Sequence, residues 1–339
     1  MTQKSLSIQD IAKLAGVSAT TVSFIINGKA KDYNIRRETI SKVQKIIEKY
    51  QYVPNTFARG FRLQRTHTIG MVVGDVNNRF LSLLEKSIES EARKNGYHLI
   101  IVSSDDDPDL EQEAIENLIS KAVDALIIIT VLQDDSLHRQ LNKNSIPLIY
   151  VDRHIESANS PYVATDNKYG GYCLTKRFIQ QGYRRIAFIG GDHTTSTNRD
   201  RFSGYCTALH EHQIKYDDNL IIHGGFSAQA GYQSAKTLFS RLCEKPEAVF
   251  TSSFTLFEGM LNYFQKADVN CLHNIRMATF DDHPLLDFLP FPVNSALQEY
   301  TSVGENAFQL VLNALNGRPA AEKTIIKPKL IYRDHLKED

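Results

Sequence analysis

The stretch IQDIAKLAGVSATTVS, Ile8 to Ser23, decides the N-terminal fold. Ser7 followed three residues later by Asp10 has the form of a capping box and opens a helix over Ile8 to Leu14. Ile8, Ile11, Ala12 and Ala15 fall on one face of it, and Gly16 stops it, because glycine takes the left-handed conformation most easily. Ser18 caps a second helix, Ala19 to Ile26, with Val22, Ile25 and Ile26 turned inward, and Asn27-Gly28 ends it. Two short helices joined by a glycine-containing turn are the helix-turn-helix geometry, whose second helix enters the DNA major groove by its N-terminal end. The small side chains of Thr20, Thr21 and Ser23 permit close approach to phosphates and base edges, and the free N–H groups of the helix start suit phosphate.

An ordinary surface hairpin of helices would share this pattern, but the charge distribution favours a polyanion-binding end. Residues 1–65 carry 12 Lys and Arg against 4 Asp and Glu, and the remainder of the chain carries 27 against 35. Working outward, about Arg37 to Tyr50 reads as a third helix, with Ile40, Val43, Ile46 and Ile47 at helical spacing. Tyr52 and Pro54 close this unit, giving a headpiece over 1–54. Residues 55–66 are basic and too short for a core of their own; they read as a linker that becomes helical only in context.

The chain has 339 residues, more than one core usually serves. From Thr66 onward short apolar runs alternate with helices. Strands are expected at Ile69–Val73, His98–Val102, Ala125–Ile129, Leu148–Val151, Ile186–Ile189, Leu220–His223, Ala248–Thr251, Arg276–Phe280 and Thr324–Ile331. Helices are expected at Leu81–Asn95, Asp109–Lys121, Ser136–Asn142, Lys168–Gln181, Arg199–His212, Ala228–Cys243, Phe254–Ala267 and Val303–Asn316. That alternation is the signature of α/β structure with parallel sheets covered on both faces, and the number of strands suits two sheets over 67–339. A ligand cleft is then expected between two lobes, at the carboxyl ends of strands.

Other classes are disfavoured. There is no GxGxxG after a strand, no Walker loop, no GxSxG and no HExxH, so an enzyme is not expected. The histidines are scattered, and no cofactor or metal is expected. Cys173, Cys206, Cys243 and Cys271 form no CxxC pair and read as reduced thiols. With no secretion signal and no long apolar stretch, a cytoplasmic chain that does not span the membrane is expected.

Residues 8–23 resemble the N-terminal signature of the LacI/GalR family of bacterial repressors. Similarity continues through Asn55 to Phe61, Ile69-Gly70, Arg184 to Gly191, Arg201 to Tyr205 and Phe280 to Asp282. Ile26 to Tyr33 and Ala278 to Leu289 are similar to one subgroup, the fructose-responsive catabolite regulators and sucrose-operon repressors. The segment Asn27 to Thr39 is about three residues longer than is usual in the family. The resemblance implies a helix-turn-helix headpiece, a hinge helix and a two-lobed core like that of periplasmic binding proteins. It also implies a homodimer reading pseudo-palindromic operator DNA under control of a sugar or sugar-phosphate effector.

Residue by residue, the resemblance places Ala19 and Thr20 at the main base-reading positions, with Ser18, Thr21, Ser23 and Asn27 beside them. Phe24 stands where Arg is common; its ring is expected to meet a thymine methyl instead. Arg36 replaces a usual Ser cap, which puts the start of the third helix in doubt, while Arg36 and Arg37 add phosphate-seeking charge. Asn55, Ala58 and Arg59 match hinge positions, and Phe61 matches a Leu that wedges into the minor groove, though packing between two hinge helices is its other reading. In the core, Arg201 and Asp281 match a pair that holds sugar hydroxyls. Asn78, Phe80, Asp152, Arg153, Asp166, Ser253 and Gln298 fall on other cleft positions. Ser253-Phe254 replaces a common Asn-Asp, so a smaller or flatter pocket is expected on that side. Which sugar acts, and whether it releases or promotes DNA binding, stays open at this stage.

Overall fold

A computed structural model describes residues 6–52, 65–136, 139, 141, 146–158, 160–241, 244–267, 275–318 and 323–334. The expected hinge residues Asn55, Ala58, Arg59 and Phe61 lie outside the described residues, as do Cys243, Cys271 and most of the helix expected at Ser136–Asn142. The chain divides into two compact units, Met1–Thr66 and His67–Asp339.

The first unit contains α1 (Ile8–Ala15), α2 (Ala19–Ile26) and α3 (Arg37–Lys49). Local chemistry sets their ends. Ser7 and Asp10 form the reciprocal capping box, Gly16 closes α1 at φ +67°, and the Ser18 hydroxyl accepts from Thr21 N. α3 starts at Arg37, and its N-cap Arg36 supplies no side-chain cap. Ile11, Ala15, Val22, Ile25 and Val43 make the core of this unit, joined by Ala30 from the segment between α2 and α3.

The second unit holds two six-stranded sheets. The first lobe has the order β11-β5-β4-β3-β1-β2, with all pairs parallel. Its strands are β1 (Thr68–Val73), β2 (His98–Ser103), β3 (Ala125–Ile128), β4 (Leu148–Val151), β5 (Tyr162–Thr165) and β11 (Lys323–Ile326). The second lobe has the order β12-β10-β9-β8-β6-β7. It is built from β6 (Ile186–Gly190), β7 (Ile221–His223), β8 (Ala248–Thr251), β9 (Arg276–Phe280), β10 (Val293–Leu297) and β12 (Lys329–Ile331), the last antiparallel to β10. α4 (Arg79–Lys94), α5 (Pro108–Ser120) and α10 (Tyr300–Leu315) pack on the first sheet. α6 (Asn167–Gln180), α7 (Ser196–Glu211), α8 (Ala228–Arg241) and α9 (Phe254–Lys266) pack on or beside the second.

The chain passes between the lobes three times: at Thr165–Asn167, at Leu297–Tyr300 and at Ile326–Lys329. The third crossing corrects the expectation of one strand over Thr324–Ile331. Lys327-Pro328 interrupts it, because proline lacks an N–H and constrains the residue before it, and the two halves join different sheets. β5 and β10 were not anticipated; YVAT and VNSAL are short and lack the run of large apolar residues that marks the other strands.

Candidate functional site

The cleft begins where β4 and β9 end. The next residues, Asp152 and Asp281, both take the left-handed conformation, at φ +64° and +69°. Asp tolerates this backbone better than most residues, and such positions concentrate at functional sites. One aspartate thus comes from each lobe. The Asp281 carboxylate accepts from Gln298 Nε2 at 2.7 Å, and Thr165 Oγ1 donates to Gln298 Oε1 at 2.6 Å. Gln298 and Thr165 belong to two of the three crossings, so the cleft carboxylate is tied to the segments about which the lobes can turn. Asp152 is buried, and its Oδ1 finds no hydrogen-bond partner among the described residues.

Arg201 lies on α7 and is 3% exposed. Its Nε donates to Asn167 Oδ1 at 2.8 Å and its Nη1 to the Ser252 carbonyl at 2.6 Å, while the guanidinium sits 3.8 Å from the centre of the Phe280 ring. Close packing of α6 on α7 makes this possible. A Cβ on Gly171 would collide with the Arg201 carbonyl, and one on Gly204 with that of Lys168. Burial lowers the proton affinity of Arg201, and Asp281 and Asp152 oppose that effect. Burial raises the pKa of both aspartates, against the pull of Arg201. The result is a buried cation that feels the charge of two carboxylates, one from each lobe, with directional donors and acceptors for vicinal hydroxyls.

Asn78, Phe80, Asp281 and Gln298 line one cavity, together with Phe254 and His283. Phe254 stacks on His283 with ring centres 4.4 Å apart, filling the side where a smaller pocket was expected. This cavity is about 30 Å³, room for about one water and too small for a sugar, and Arg201, Asp152 and Arg153 are not among its lining residues. Arg153 faces across the cleft. Its Nη1 pairs with Asp106 Oδ1 at 2.6 Å, and its guanidinium lies 4.9 Å from the Phe226 ring of the second lobe. His154 N donates to Ser196 Oγ at 3.1 Å, and Arg199 reaches Glu156 at 3.4 Å, two further contacts between lobes.

Three expected site residues are used by helix ends. Asp166 accepts from Tyr169 N and caps α6, Ser253 accepts from Leu256 N and caps α9, and Asn78 Oδ1 accepts from Phe80 N to cap α4. Asn78 still borders the cavity, but Asp166 is not among its lining residues. Sequence reasoning missed Asn167, Asp106, Phe226 and Arg333. Arg333 Nη2 donates to Asp282 Oδ1 at 2.8 Å, its Nη1 to Ser295 Oγ at 3.0 Å and its Nε to Asp287 Oδ1 at 2.7 Å, fastening the loop that carries Asp281. No local pattern signals an arginine whose partners are this far away in sequence.

On the headpiece, Thr20, Asn27, Arg36 and Arg37 are exposed, and Ala19, Thr21, Ser23 and Phe24 are half-buried. Ser18 is committed to capping, and Asn27 Nδ2 donates to the Ser23 carbonyl at 2.7 Å. Phe24 differs from expectation: its ring lies flat on Tyr33, with centres 3.6 Å apart and planes 7° apart. The face that was expected to meet a thymine methyl is therefore covered on one side.

The raised aspartate pKa values give a pH expectation. A carboxylate whose folded pKa is raised prefers its proton in the folded state, so the charge costs stability above that pKa and the cost is relieved as pH falls. The charged carboxylate accepts a sugar hydroxyl more strongly than the neutral acid does. Effector binding should therefore release protons, and affinity should fall as pH drops from neutral toward the ordinary carboxylate range near 4. Titration calorimetry in buffers of different ionisation enthalpy checks this; affinity that stays flat to pH 5 with no proton release contradicts it.

A helix-turn-helix unit followed by two parallel-sheet lobes around a polar cleft defines a ligand-responsive regulator. Residues 66–331 match the periplasmic binding proteins and sugar binding domain of the LacI family, and residues 7–55 match the bacterial regulatory proteins of the lacI family. The sucrose operon repressor of Klebsiella pneumoniae is 31% identical over 318 residues, covering 94% of this chain and 95% of that protein. The catabolite repressor/activator of Escherichia coli K12 is 31% identical over 337 residues, covering 98% and 99%. A solved structure of the Cra transcriptional dual regulator from Pseudomonas putida, in complex with fructose 1-phosphate, matches with a TM-score of 0.73 at 29% identity, covering 79% of this chain and 99% of that one. The chain belongs to the LacI family of bacterial regulatory proteins. Among the described residues no helix is long and apolar enough to cross a membrane.

Proposed function

We propose that this regulator represses carbohydrate-utilisation genes, of the sucrose or fructose kind, in the cytoplasm. It binds a pseudo-palindromic operator as a homodimer and answers to a sugar or sugar phosphate held between its lobes. The headpiece is assigned to residues 1–54, the hinge to 55–66 and the effector core to 67–339. Ser18, Ala19, Thr20, Thr21 and Ser23 are assigned to the DNA surface, and Arg201, Asp281, Asp152 and Gln298 to the effector. The observation that carries the reading is buried Arg201, set near Asp281 and Asp152 from opposite lobes, in a chain that also bears a basic helix-turn-helix unit.

The ligand class follows from the donor set. Two carboxylates and an amide accept and orient hydroxyls, and Arg201 and Arg153 supply positive charge for a phosphate. The Pseudomonas putida relative was solved with fructose 1-phosphate, which makes that compound the first to test. A thermal-shift series with fructose, fructose 1-phosphate, fructose 1,6-bisphosphate and sucrose is expected to pick out one of them, and the same compound should change operator binding. If none stabilises the chain, the effector assignment fails.

The DNA reading is tested with Thr20→Ala and Arg37→Ala. Thr20→Ala should lose discrimination between a selected operator and random DNA. Arg37→Ala should weaken both about equally and lower the salt slope by about one unit. Unchanged discrimination in Thr20→Ala would displace the recognition helix from α2.

A further inference from the structure

The α2–α3 connection is folded onto the DNA-reading helix. Val22 and Ile25 are buried on one side of α2, which leaves Thr20, Ser23, Phe24 and Asn27 toward the other. The chain then doubles back. Gly28 takes φ +73°, Lys29 N donates to the Phe24 carbonyl at 2.9 Å, and Ile35 N donates to the Ala30 carbonyl at 2.9 Å. Ala30 is buried in the headpiece core, which anchors the turn. This arrangement delivers Tyr33 to the ring of Phe24, where the two stack in parallel.

The stack has a chemical consequence. Phe24 has no polar atom, and one face of its ring is covered. Tyr33 adds a hydroxyl that both donates and accepts, and the residue remains 56% exposed. An exposed aromatic ring held rigid by another ring loses little freedom on binding. Around it lie exposed Lys29 and Lys31, which favour phosphates, and Asp32, which does not. Arg36 and Arg37 follow at the start of α3.

We infer that Tyr33, fixed against Phe24 of the recognition helix, contacts the DNA duplex through its phenol hydroxyl and so takes over the contact position from Phe24. The inference rests on the DNA-binding reading and extends it to the α2–α3 connection. The base or phosphate oxygen or nitrogen that meets the hydroxyl lies beside the groove entered by α2. Direct readout by Phe24 is replaced by readout one ring further out.

The test selects duplexes from a random-sequence pool with the full-length chain, then measures the affinity of the wild type, Tyr33→Phe and Tyr33→Ala for the selected duplex and for an unselected one. Tyr33→Phe keeps the stack and removes only the hydroxyl. It should bind the selected duplex about three- to tenfold more weakly, the worth of one lost hydrogen bond, with the thermal unfolding of the chain unchanged. Tyr33→Ala should weaken binding further and alter the base preference symmetrically in both half-sites. A hydroxyl on a base lowers only the selected-duplex affinity, and one on a phosphate lowers both; either supports the contact. If Tyr33→Phe binds both duplexes as the wild type does, the inference is overturned. If the wild type itself enriches no sequence, the underlying DNA-binding reading is what has failed.

Discussion

Asp281→Ala should abolish the effector response while operator binding stays nearly intact. The carboxylate accepts from Gln298, shares the cleft with buried Arg201, and stands on a left-handed backbone that aims it from the end of β9. Two charge-assisted bonds to sugar hydroxyls are worth about 1.5–3 kcal/mol each, so their joint loss weakens the effector by at least about a hundredfold. The loss also removes a restraint on the lobe angle, because Gln298 is held by both Asp281 and Thr165. A ligand shifts the two lobe arrangements only by its differential affinity for them. A variant that cannot grip the ligand therefore keeps its effector-free operator affinity whatever the sugar concentration. If the effector is an inducer, the variant behaves as a super-repressor. Fluorescence titration of a labelled operator, with and without the effector found by thermal shift, measures the response; a normal response in Asp281→Ala would move the pocket elsewhere.

Asp334→Ala should cost the second unit about 3–5 kcal/mol, the usual penalty for stripping one partner from a buried ion pair. Asp334 Oδ1 takes Arg177 Nε and Nη2 at 3.1 and 2.9 Å, and Oδ2 takes Gln181 Nε2 and Asn294 Nδ2, both at 2.6 Å. Both side chains of the ion pair are close to nine-tenths buried. This one carboxylate joins the chain after β12 to α6 and β10. Its removal leaves two amides without acceptors, leaves the Arg177 guanidinium only the Asp334 main-chain carbonyl at 2.8 Å, and loosens the segment that carries neighbouring Arg333. The melting temperature should drop by on the order of ten degrees. Asp334→Asn should fall between the variant and the wild type, since it keeps one acceptor but faces two donors with an amide. Calorimetry of the full chain decides; a loss below about two degrees would mean that the segment contributes little.

What could be read in advance follows the range of the interactions. The ends of α1 and α2 were legible because Ser7, Asp10, Gly16 and Ser18 act over three or four residues. The central strands were legible because burial on both faces leaves unbroken apolar runs such as IGMVV and ALII. Arg201 and Asp281 were nominated from family resemblance, without any account of what holds them. Only the folded chain supplies that account: Asn167, 34 residues from Arg201, the Ser252 carbonyl, 51 residues away, and the Gln298–Thr165 bond spanning 133 residues.

Local sequence specifies a basic helix-turn-helix end and an α/β body with parallel sheets, while the cleft residues rest on family resemblance. Periodicity, capping and charge are properties of neighbours along the chain, so they survive without coordinates. The tertiary structure decided which polar residues serve helix ends and which face the cleft. Asp166 and Ser253 are polar like the cleft residues, yet each caps a helix and neither lines the cavity, whereas Asn78 caps a helix and lines it too. It also split 323–331 between two sheets and laid Tyr33 on Phe24. These outcomes depend on which surfaces meet when separate elements pack, and hydrophobic burial, having no direction, leaves no mark of them in local sequence.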